Sequence, residues 1–312
     1  MSEISEIGMR SVSSLALVML LSSPAFLAAQ SRTPWGDPDL QGVWSNQNPT
    51  PFERPDALKG KSTLTKEEAE AAEKTSLDRL LAGFKNDVPL SGELNSIWLE
   101  TSKGRVAPGR STSLVIDPPD GKVPYTAEGR ARWNATPKLQ APLLANRPED
   151  RAPSERCTTT DGLFAPNPFY NNYHQIVQAP GYIVIVTEMM HEARVIPLDR
   201  RPHAGPGVRM WLGDSRGYWE GQTLVVETTN FNVQKLFRGA TEQMRAVERF
   251  TRLDADTIEY RLTITDPATF SQPWTLENGL RREDVMLYEV ACHEGNYGMR
   301  GILSGARAEE AR

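Results

Sequence analysis

The 18 residues "YIVIVTEMMHEARVIPLD", at positions 182–199, set the pattern from which the rest of the fold is predicted. A run rich in β-branched residues ends in a charged segment, 188–194, and a second apolar run follows directly. Runs of this composition are typical of strands, so the stretch predicts a hairpin with a charged tip. The whole chain has 4 histidines. His191 at this tip therefore invites a chemical interpretation.

Strand-like runs continue to the end of the chain, separated by short gaps that contain Gly, Asp and Pro. From residue 174 onward they are 174–178, 182–189, 193–198, 208–212, 223–229, 244–252, 257–265, 272–282 and 286–293. Such spacing predicts an antiparallel, mostly β fold. We expect a barrel of lipocalin-like (calycin-like) plan, and a two-sheet β-sandwich is the alternative. A barrel of about eight strands can hold one small ligand.

The N-terminal third differs in composition. Residues 31–60 are rich in Pro and predict an extended arm, too rich in Pro for a central strand. The next segment, "STLTKEEAEAAEKTSLDRLLAGF" at 62–84, predicts a helix with Thr65 and Glu68 as a capping box and an end at Gly83. A short strand at 112–117, a second short helix at 127–139 and an irregular crossing at 145–172 follow. We therefore expect an arm and helix over 30–110 that pack on a β-barrel domain over 111–312.

The first 29 residues predict a signal peptide. Arg10 precedes an apolar run from Leu15 to Ala29, and small residues offer a cleavage point after Ala29. An amphipathic terminal helix is the alternative. No later apolar run reaches the roughly 18 residues that a membrane helix needs. We expect export to the periplasm or medium, with no membrane contact after signal removal.

Charge and cysteine content narrow the class of protein further. The formal net charge is −5, and the basic residues are scattered, which argues against a nucleic-acid partner. Cys157 and Cys292 are the only cysteines. Because thiols pair in oxidising compartments, we expect a disulfide between them. Two buried free thiols are the alternative.

The charged tip supplies the first candidate site residues. With residues 190–192 as the loop, Glu188 would lie opposite Arg194, on the face that carries Val184 and Val186. A charge pair on an apolar face costs desolvation and hints at function. With His191 and Glu192 as the loop, the register shifts and the pair is lost. A surface ion pair at the hairpin end is the other alternative.

Further carboxylates lie in later strands. Glu248 shares a strand face with Phe250, and Glu227 shares one with Val225. If these faces point inward, the carboxylates could act as general acid and base; ordinary faces turned to water are the alternative. The predicted catalytic residues are Glu188, His191, Arg194, Glu248 and His293. The predicted substrate-binding residues are Tyr173, His174 and Glu227.

No cofactor signature accompanies these residues. The chain has no G-x-S-x-G, no phosphate-binding P-loop motif and no G-x-G-x-x-G. His191 and His293 are each followed by Glu, but neither fits H-E-x-x-H. We predict no organic cofactor and no metal, with a composite zinc site from His174, His191 and His293 as the alternative.

Several phrases carry resemblances. The G-x-W within "DLQGVW", 39–44, resembles the lipocalin signature. The chain resembles a group of exported bacterial proteins of unknown function in the phrases "TPWGDPDLQGVW", "WEGQTLVVETTNFN", "VERFTRLDADTIEYRLTITDP" and "YEVACHEGNYGM", and in the pattern E-M-x-H-x-x-R before "IPLD". That resemblance covers nearly the whole chain after the signal and implies no reaction. The shared phrases contain Glu188, His191, Arg194, Glu248, His293 and Glu294.

We therefore expect an enzyme that acts on a small or polycyclic molecule by lyase, isomerase or hydrolase chemistry. His191 or Glu248 would be the base, and Arg194 would stabilise developing negative charge. A non-catalytic exported binding protein is the second hypothesis, and a cell-wall interaction module is the third. Inward Glu, His and Arg side chains within hydrogen-bond reach would favour catalysis, whereas an apolar pocket would favour binding.

Overall fold

The computed structural model describes residues 31–86, 104–135, 145–153, 155–159, 172–232 and 237–311. The predicted signal peptide lies outside these residues. The helices are α1 (Lys66–Asn86), α2 (Ala127–Ala135) and α3 (Gly298–Glu310). The strands are β1 (Gly42–Ser45), β2 (Val115–Asp117), β3 (Tyr173–Ala179), β4 (Tyr182–Thr187), β5 (Glu192–Pro197), β6 (Asp214–Glu220), β7 (Thr223–Thr229), β8 (Arg245–Arg252), β9 (Thr257–Thr265) and β10 (Trp274–Glu283).

All ten described strands belong to one antiparallel sheet. Its order is β5-β4-β3-β1-β10-β9-β8-β7-β6, and the short β2 pairs with β10 beside this path. Two runs of consecutive hairpins, β3–β5 and β6–β10, supply most of the sheet. The predicted mostly β, antiparallel class is confirmed. The described part of the chain has three helices, of which α1 and α2 correspond to predicted helical segments and α3 was not expected.

The joint between the two runs is β1, which corrects the prediction that the arm is extended and cannot supply a central strand. Trp44 pairs with His174 of β3 on one side and with Arg282 of β10 on the other, and its side chain is fully buried. The prolines of the arm flank the stretch "GVWS" and do not interrupt it. Its backbone donors are therefore available for both neighbours.

The two ends of the sheet approach each other without a hydrogen-bonded ladder between β5 and β6 in the described strands. Gly217 of β6 lies against β5 so closely that an added Cβ would be 2.8 Å from Ile196 Cγ2 and 2.8 Å from Leu198 Cδ2. The sheet is thus strongly curled but not closed by hydrogen bonds. Its concave side holds the core, whose largest fully buried side chains include Trp44, Trp274, Tyr260, Phe250 and Phe270.

Two predicted strands are wrong. Residues 208–212 form a loop in which Met210 makes an isolated bridge to Phe231, just beyond the end of β7, and the strand begins later, at Asp214. Gly205 and Gly207 precede this loop and weaken any strand there. Residues 286–293 are irregular, and α3 follows them; sequence reasoning did not predict this helix.

The start of α1 agrees with its sequence signature. Thr65 N donates to Glu68 Oε2 at 2.8 Å, and Glu68 N donates to Thr65 Oγ1 at 3.2 Å, which is the reciprocal capping box. The predicted end at Gly83 is wrong, because the helix continues to Asn86. Among the described residues, no helix has the length and apolar character needed to cross a membrane.

A disulfide joins Cys157 to Cys292, with 5.6 Å between the Cα atoms, and confirms the predicted pairing. The bond closes a loop across 135 residues and ties the segment before β3 to the segment after β10. Nearby, Asn296 Nδ2 donates to the carbonyl oxygen of Cys292 at 3.1 Å. Two parts of the chain that are remote in sequence are therefore held together outside the sheet.

Candidate functional site

The charged tip has a different register from the one in which Glu188 opposes Arg194. Thr187 pairs with Glu192, and Ile185 pairs with Arg194. Residues 189–191 form a 3-10 turn in which Met190 and His191 have φ values of 60° and 37°. The predicted cross-strand pair is therefore absent from this hairpin.

Arg194 instead reaches across the concave side of the sheet to Glu248 of β8. Its Nη1 donates to Glu248 Oε2 at 2.7 Å, and its Nη2 donates to Glu248 Oε1 at 3.0 Å. Tyr260 of β9 donates its hydroxyl to the same Oε1 at 3.0 Å. The Arg194 side chain is 4% exposed and that of Glu248 is fully buried, so the ion pair lies entirely inside the protein.

Strand alternation brings these three side chains together. Arg194 lies on the same face of β5 as buried Ile196, and Glu248 lies between Ala246 and Phe250 on the buried face of β8. Tyr260 alternates in the same way within β9. Because successive side chains of a strand point to opposite faces, all three positions face the core.

The arginine is held rigidly, yet one of its donors has no acceptor. Burial alone would lower the pKa of Arg194, but the charge of Glu248 and its hydrogen bonds outweigh burial and raise that pKa. The guanidinium is therefore charged. In the described part of the chain, its buried Nε has no hydrogen-bond partner. An unpaired buried donor costs about 1–3 kcal/mol, so this nitrogen is a point where a ligand oxygen would be stabilising.

His174 of β3 adds a neutral polar group to the same interior. It is buried, and its Nδ1 lies 3.2 Å from Thr187 Oγ1. Burial, and secondarily the positive charge of Arg194, lower the pKa of His174 to about 3. The imidazole is thus uncharged at neutral pH and offers one donor and one acceptor.

Glu188 follows β4 directly and is also buried, although it lies beyond the last paired residue of that strand. Its backbone N–H donates to Tyr173 O at 2.9 Å, and Tyr288 N donates to its Oε1 at 3.5 Å. The segment after β10 that carries Cys292 therefore touches this carboxylate. Tyr173 itself is half-buried at the start of β3.

The remaining predicted site residues are not part of this cluster. His191 is exposed at the hairpin tip, and His293 and Glu294 are exposed in the segment after β10. Glu227 lies on the outer face of β7, where it forms an ion pair with Arg245 and is 3.5 Å from Tyr218 Oη. The structure thus brings together Arg194 and Glu248, with His174 near enough to feel the charge of Arg194. Glu188 is buried at the end of β4, whereas His191 and His293 are exposed.

Sequence reasoning missed two groups of residues. Tyr260 could have been found, because "TIEYRLTIT" places it on the same strand face as Ile258 and Leu262. The second group lies in the loop before β6, where His203 Nδ1 is 3.1 Å from Asp214 Oδ2 and Ala204 N donates to that oxygen at 2.8 Å. Arg216 also binds Asp214. Burial opposes ionisation of Asp214, but these donors outweigh it and lower its pKa, so the carboxylate anchors the loop.

The described residues contain no group of three or more His, Cys, Asp or Glu side chains arranged to hold a metal ion. His174, His191 and His293 do not converge. No protein-family model, curated protein or solved structure matches this chain.

Proposed function

We propose that the protein is an exported enzyme that works without an organic cofactor on a small molecule bound inside the curled sheet, beside Arg194. The observation that carries this proposal is the buried Nε of Arg194, which has no acceptor among the described residues. Glu248 holds both terminal nitrogens of the same guanidinium. The direction of the remaining N–H bond is therefore fixed before a ligand arrives, which is the preorganisation that catalysis requires.

The chemistry follows from the protonation states. The positive charge of Arg194 would bind a carbonyl or carboxylate oxygen of the substrate and stabilise negative charge that develops on it. Neutral His174 would donate or accept a hydrogen bond without competing for that charge. The two oxygens of Glu248 already accept three hydrogen bonds. As the general base we propose Glu188, a buried carboxylate that directly follows β4. The reaction class would be a lyase, isomerase or hydrolase.

We further propose that the sheet encloses its ligand as a barrel, with β5 packed against β6 at the seam. The close approach of Gly217 to Ile196 and Leu198 supports this closure. Export is supported by the apolar leader with its small-residue cleavage point and by the disulfide between Cys157 and Cys292. Membership in the group of exported bacterial proteins named above remains part of the same proposal.

The second candidate function is binding without turnover. It is favoured by the engagement of Glu248, because a substrate would have to compete with the donors of Arg194 and Tyr260 for both carboxylate oxygens. In this case the cluster would orient a ligand by its oxygen atoms and perform no proton transfer. Both candidates place the ligand oxygen at Arg194 Nε and differ only in whether the ligand changes.

The experiment compares the wild type with Arg194→Lys, which keeps the charge beside Glu248 and removes the forked geometry. Each purified protein is incubated with the small-molecule fraction of the cell envelope, and the compounds are quantified by mass spectrometry. Arg245→Lys, on the outer face, is the matched control. We expect at least one compound to be consumed by the wild type and by Arg245→Lys, with at least a tenfold slower loss for Arg194→Lys.

Thermal melting of the wild type, Arg194→Lys and Arg245→Lys shows whether all three are folded at the temperature of the incubation. A compound that co-purifies unchanged with the wild type, and not with Arg194→Lys, would support the binding protein instead. If no compound is consumed or retained in an Arg194-dependent way, both functions are wrong and the cluster is a structural ion pair.

A further inference from the structure

A cavity lies on the outer face of the sheet, on the side opposite to Arg194. It has a volume of about 220 Å³. Its walls are β10, the segment 105–108, and the turn between β8 and β9. Arg281 and Gly279 alternate along β10 with buried Leu280, so they face outward. The cavity is therefore separated from the interior cluster by the thickness of the sheet.

Close backbone contacts build the walls of this cavity. A Cβ added at Gly279 would lie 2.9 Å from Pro108 Cδ, and one added at Gly104 would lie 3.2 Å from Gln47 Cγ. A side chain at position 279 would therefore displace Pro108, and one at position 104 would crowd Gln47. The segment at 104–108 is thus packed closely against both β10 and the segment that follows β1, at Gln47 and Asn48.

Two arginines that line the cavity have no partner. Within the described residues, neither Arg105 nor Arg281 forms a side-chain hydrogen bond or an ion pair. Other arginines on the outer face of the sheet are paired: Arg245 with Glu227, Arg249 with Glu220, and Arg261 with Glu259 and Glu277. Asp254 also lines the cavity, and its Oδ1 accepts a hydrogen bond from Asp256 N at 2.8 Å. Two unpaired arginines therefore face one carboxylate, which leaves net positive charge for an external anion.

Besides the two arginines, the cavity has a neutral hydrogen-bond acceptor. Gln47 lines the same cavity, and its side-chain oxygen is buried without a hydrogen-bond donor in the described part of the protein. An acceptor in this position is stabilised by a hydroxyl or amine hydrogen. The walls also include Val106, Pro108 and the exposed side chain of Leu253, which offer contact for carbon atoms.

We propose that this cavity binds a small hydroxylated organic anion. Arg105 and Arg281 bind its carboxylate or phosphate group, since guanidinium groups match both anions. Gln47 accepts a hydrogen bond from the hydroxyl group, and Val106 and Leu253 contact the carbon skeleton. The volume lies below the roughly 300 Å³ at which drug-sized sites begin, so the ligand is smaller than a nucleotide.

The test is isothermal titration calorimetry of the full chain at low ionic strength. The probes are 3-hydroxybutyrate and glycerol 3-phosphate, with butyrate, inorganic phosphate and glycerol as partial analogues. The variants are Arg281→Gln, Arg105→Gln and Gln47→Leu. Arg300→Gln is the matched control, because it removes the same charge from exposed α3.

We expect saturable binding of one of the two hydroxylated anions and no binding of glycerol. Whichever of them binds identifies the anionic group as carboxylate or phosphate. Each arginine variant should weaken that binding at least tenfold, and Arg300→Gln should leave it unchanged. Gln47→Leu should abolish the preference for 3-hydroxybutyrate over butyrate, or for glycerol 3-phosphate over inorganic phosphate. Absence of saturable binding to the wild type would overturn the proposal, and so would binding by Arg281→Gln and Arg105→Gln that is as tight as that of the wild type.

Discussion

The ion pairs Arg194–Glu248 and Arg245–Glu227 contain the same two side-chain types but have opposite surroundings. The first lies on the concave side of the sheet with side-chain exposures of 4% and 0%, and the second lies on the outer face with exposures of 53% and 27%. Glu227 and Glu248 occupy neighbouring strands, β7 and β8. Only the face to which each carboxylate points makes the difference.

The comparison shows how burial changes the energetic meaning of a pair. An exposed pair adds at most about 1 kcal/mol, because water screens both charges. A buried pair has already lost its hydration, so removing one partner leaves a charge that neither water nor protein compensates. Arg194 and Glu248 therefore each require the other as a partner, although the pair as a whole adds little net stability.

The largest expected effect is that of Glu248→Ala. It leaves the Arg194 guanidinium buried and unpaired and removes the acceptor of the Tyr260 hydroxyl, so we expect the free energy of unfolding to fall by about 3–5 kcal/mol. Urea denaturation followed by circular dichroism measures the loss. A loss below about 1 kcal/mol would mean that the pair is hydrated in solution.

A double variant, Arg194→Met with Glu248→Leu, distinguishes two causes of the loss in Glu248→Ala. One is the unpaired charge of Arg194, and the other is the packing lost with the Glu248 side chain. Replacement of a whole buried pair by apolar side chains is often neutral or stabilising, so we expect this variant to be more stable than Glu248→Ala by roughly 3 kcal/mol. The same urea titration measures it. If the double variant is as unstable as Glu248→Ala, the loss comes from packing, and the contrast between the two pairs is not electrostatic.

The pH dependence of the free energy of unfolding tests whether His174 is buried in its neutral form. The pKa of His174 is about 3 in the folded protein, whereas the ordinary pKa of a histidine, which applies to the unfolded chain, is 6.5. Between pH 6.5 and pH 3, His174 is therefore protonated in the unfolded chain and neutral in the folded protein. The free energy of unfolding falls as the pH decreases through this range. The slope from this residue is about 1.4 kcal/mol per pH unit.

The measurement compares the wild type with His174→Gln by urea denaturation between pH 7 and pH 4. Carboxylates titrate in both proteins, so the difference between the two curves reports His174. We expect the variant to lose less stability over this range. Parallel curves would show that His174 is solvated, and would weaken its place in the proposed site.

The smallest expected effect is that of Glu227→Ala on the outer face. We expect the free energy of unfolding to change by at most about 1 kcal/mol, and the change to shrink further at about 1 M salt because exposed charges are screened. Urea titrations at two salt concentrations measure it. A salt-independent loss as large as that of Glu248→Ala would remove the distinction between the two faces.

Local patterns account for the parts of the molecule that could be predicted from sequence. The capping box of Thr65 and Glu68 involves residues three apart, and the hairpin β4–β5 joins neighbouring runs. The disulfide was predicted from the only two cysteines of a chain whose first 29 residues predict a signal peptide. By contrast, β1 was not predicted as a central strand, because the surrounding prolines outweighed the four residues of "GVWS".

The amino-acid sequence alone determined which side chains share a strand face. Period-two alternation places Glu248 with Phe250, and Tyr260 with Leu262, whatever the order of the strands. Only the tertiary structure decided that the partner of Arg194 is Glu248, 54 positions away, and not Glu188. The physical reason is that alternation fixes the direction of a side chain, whereas its partner depends on the hairpin register and on the curvature that brings β5 opposite β8.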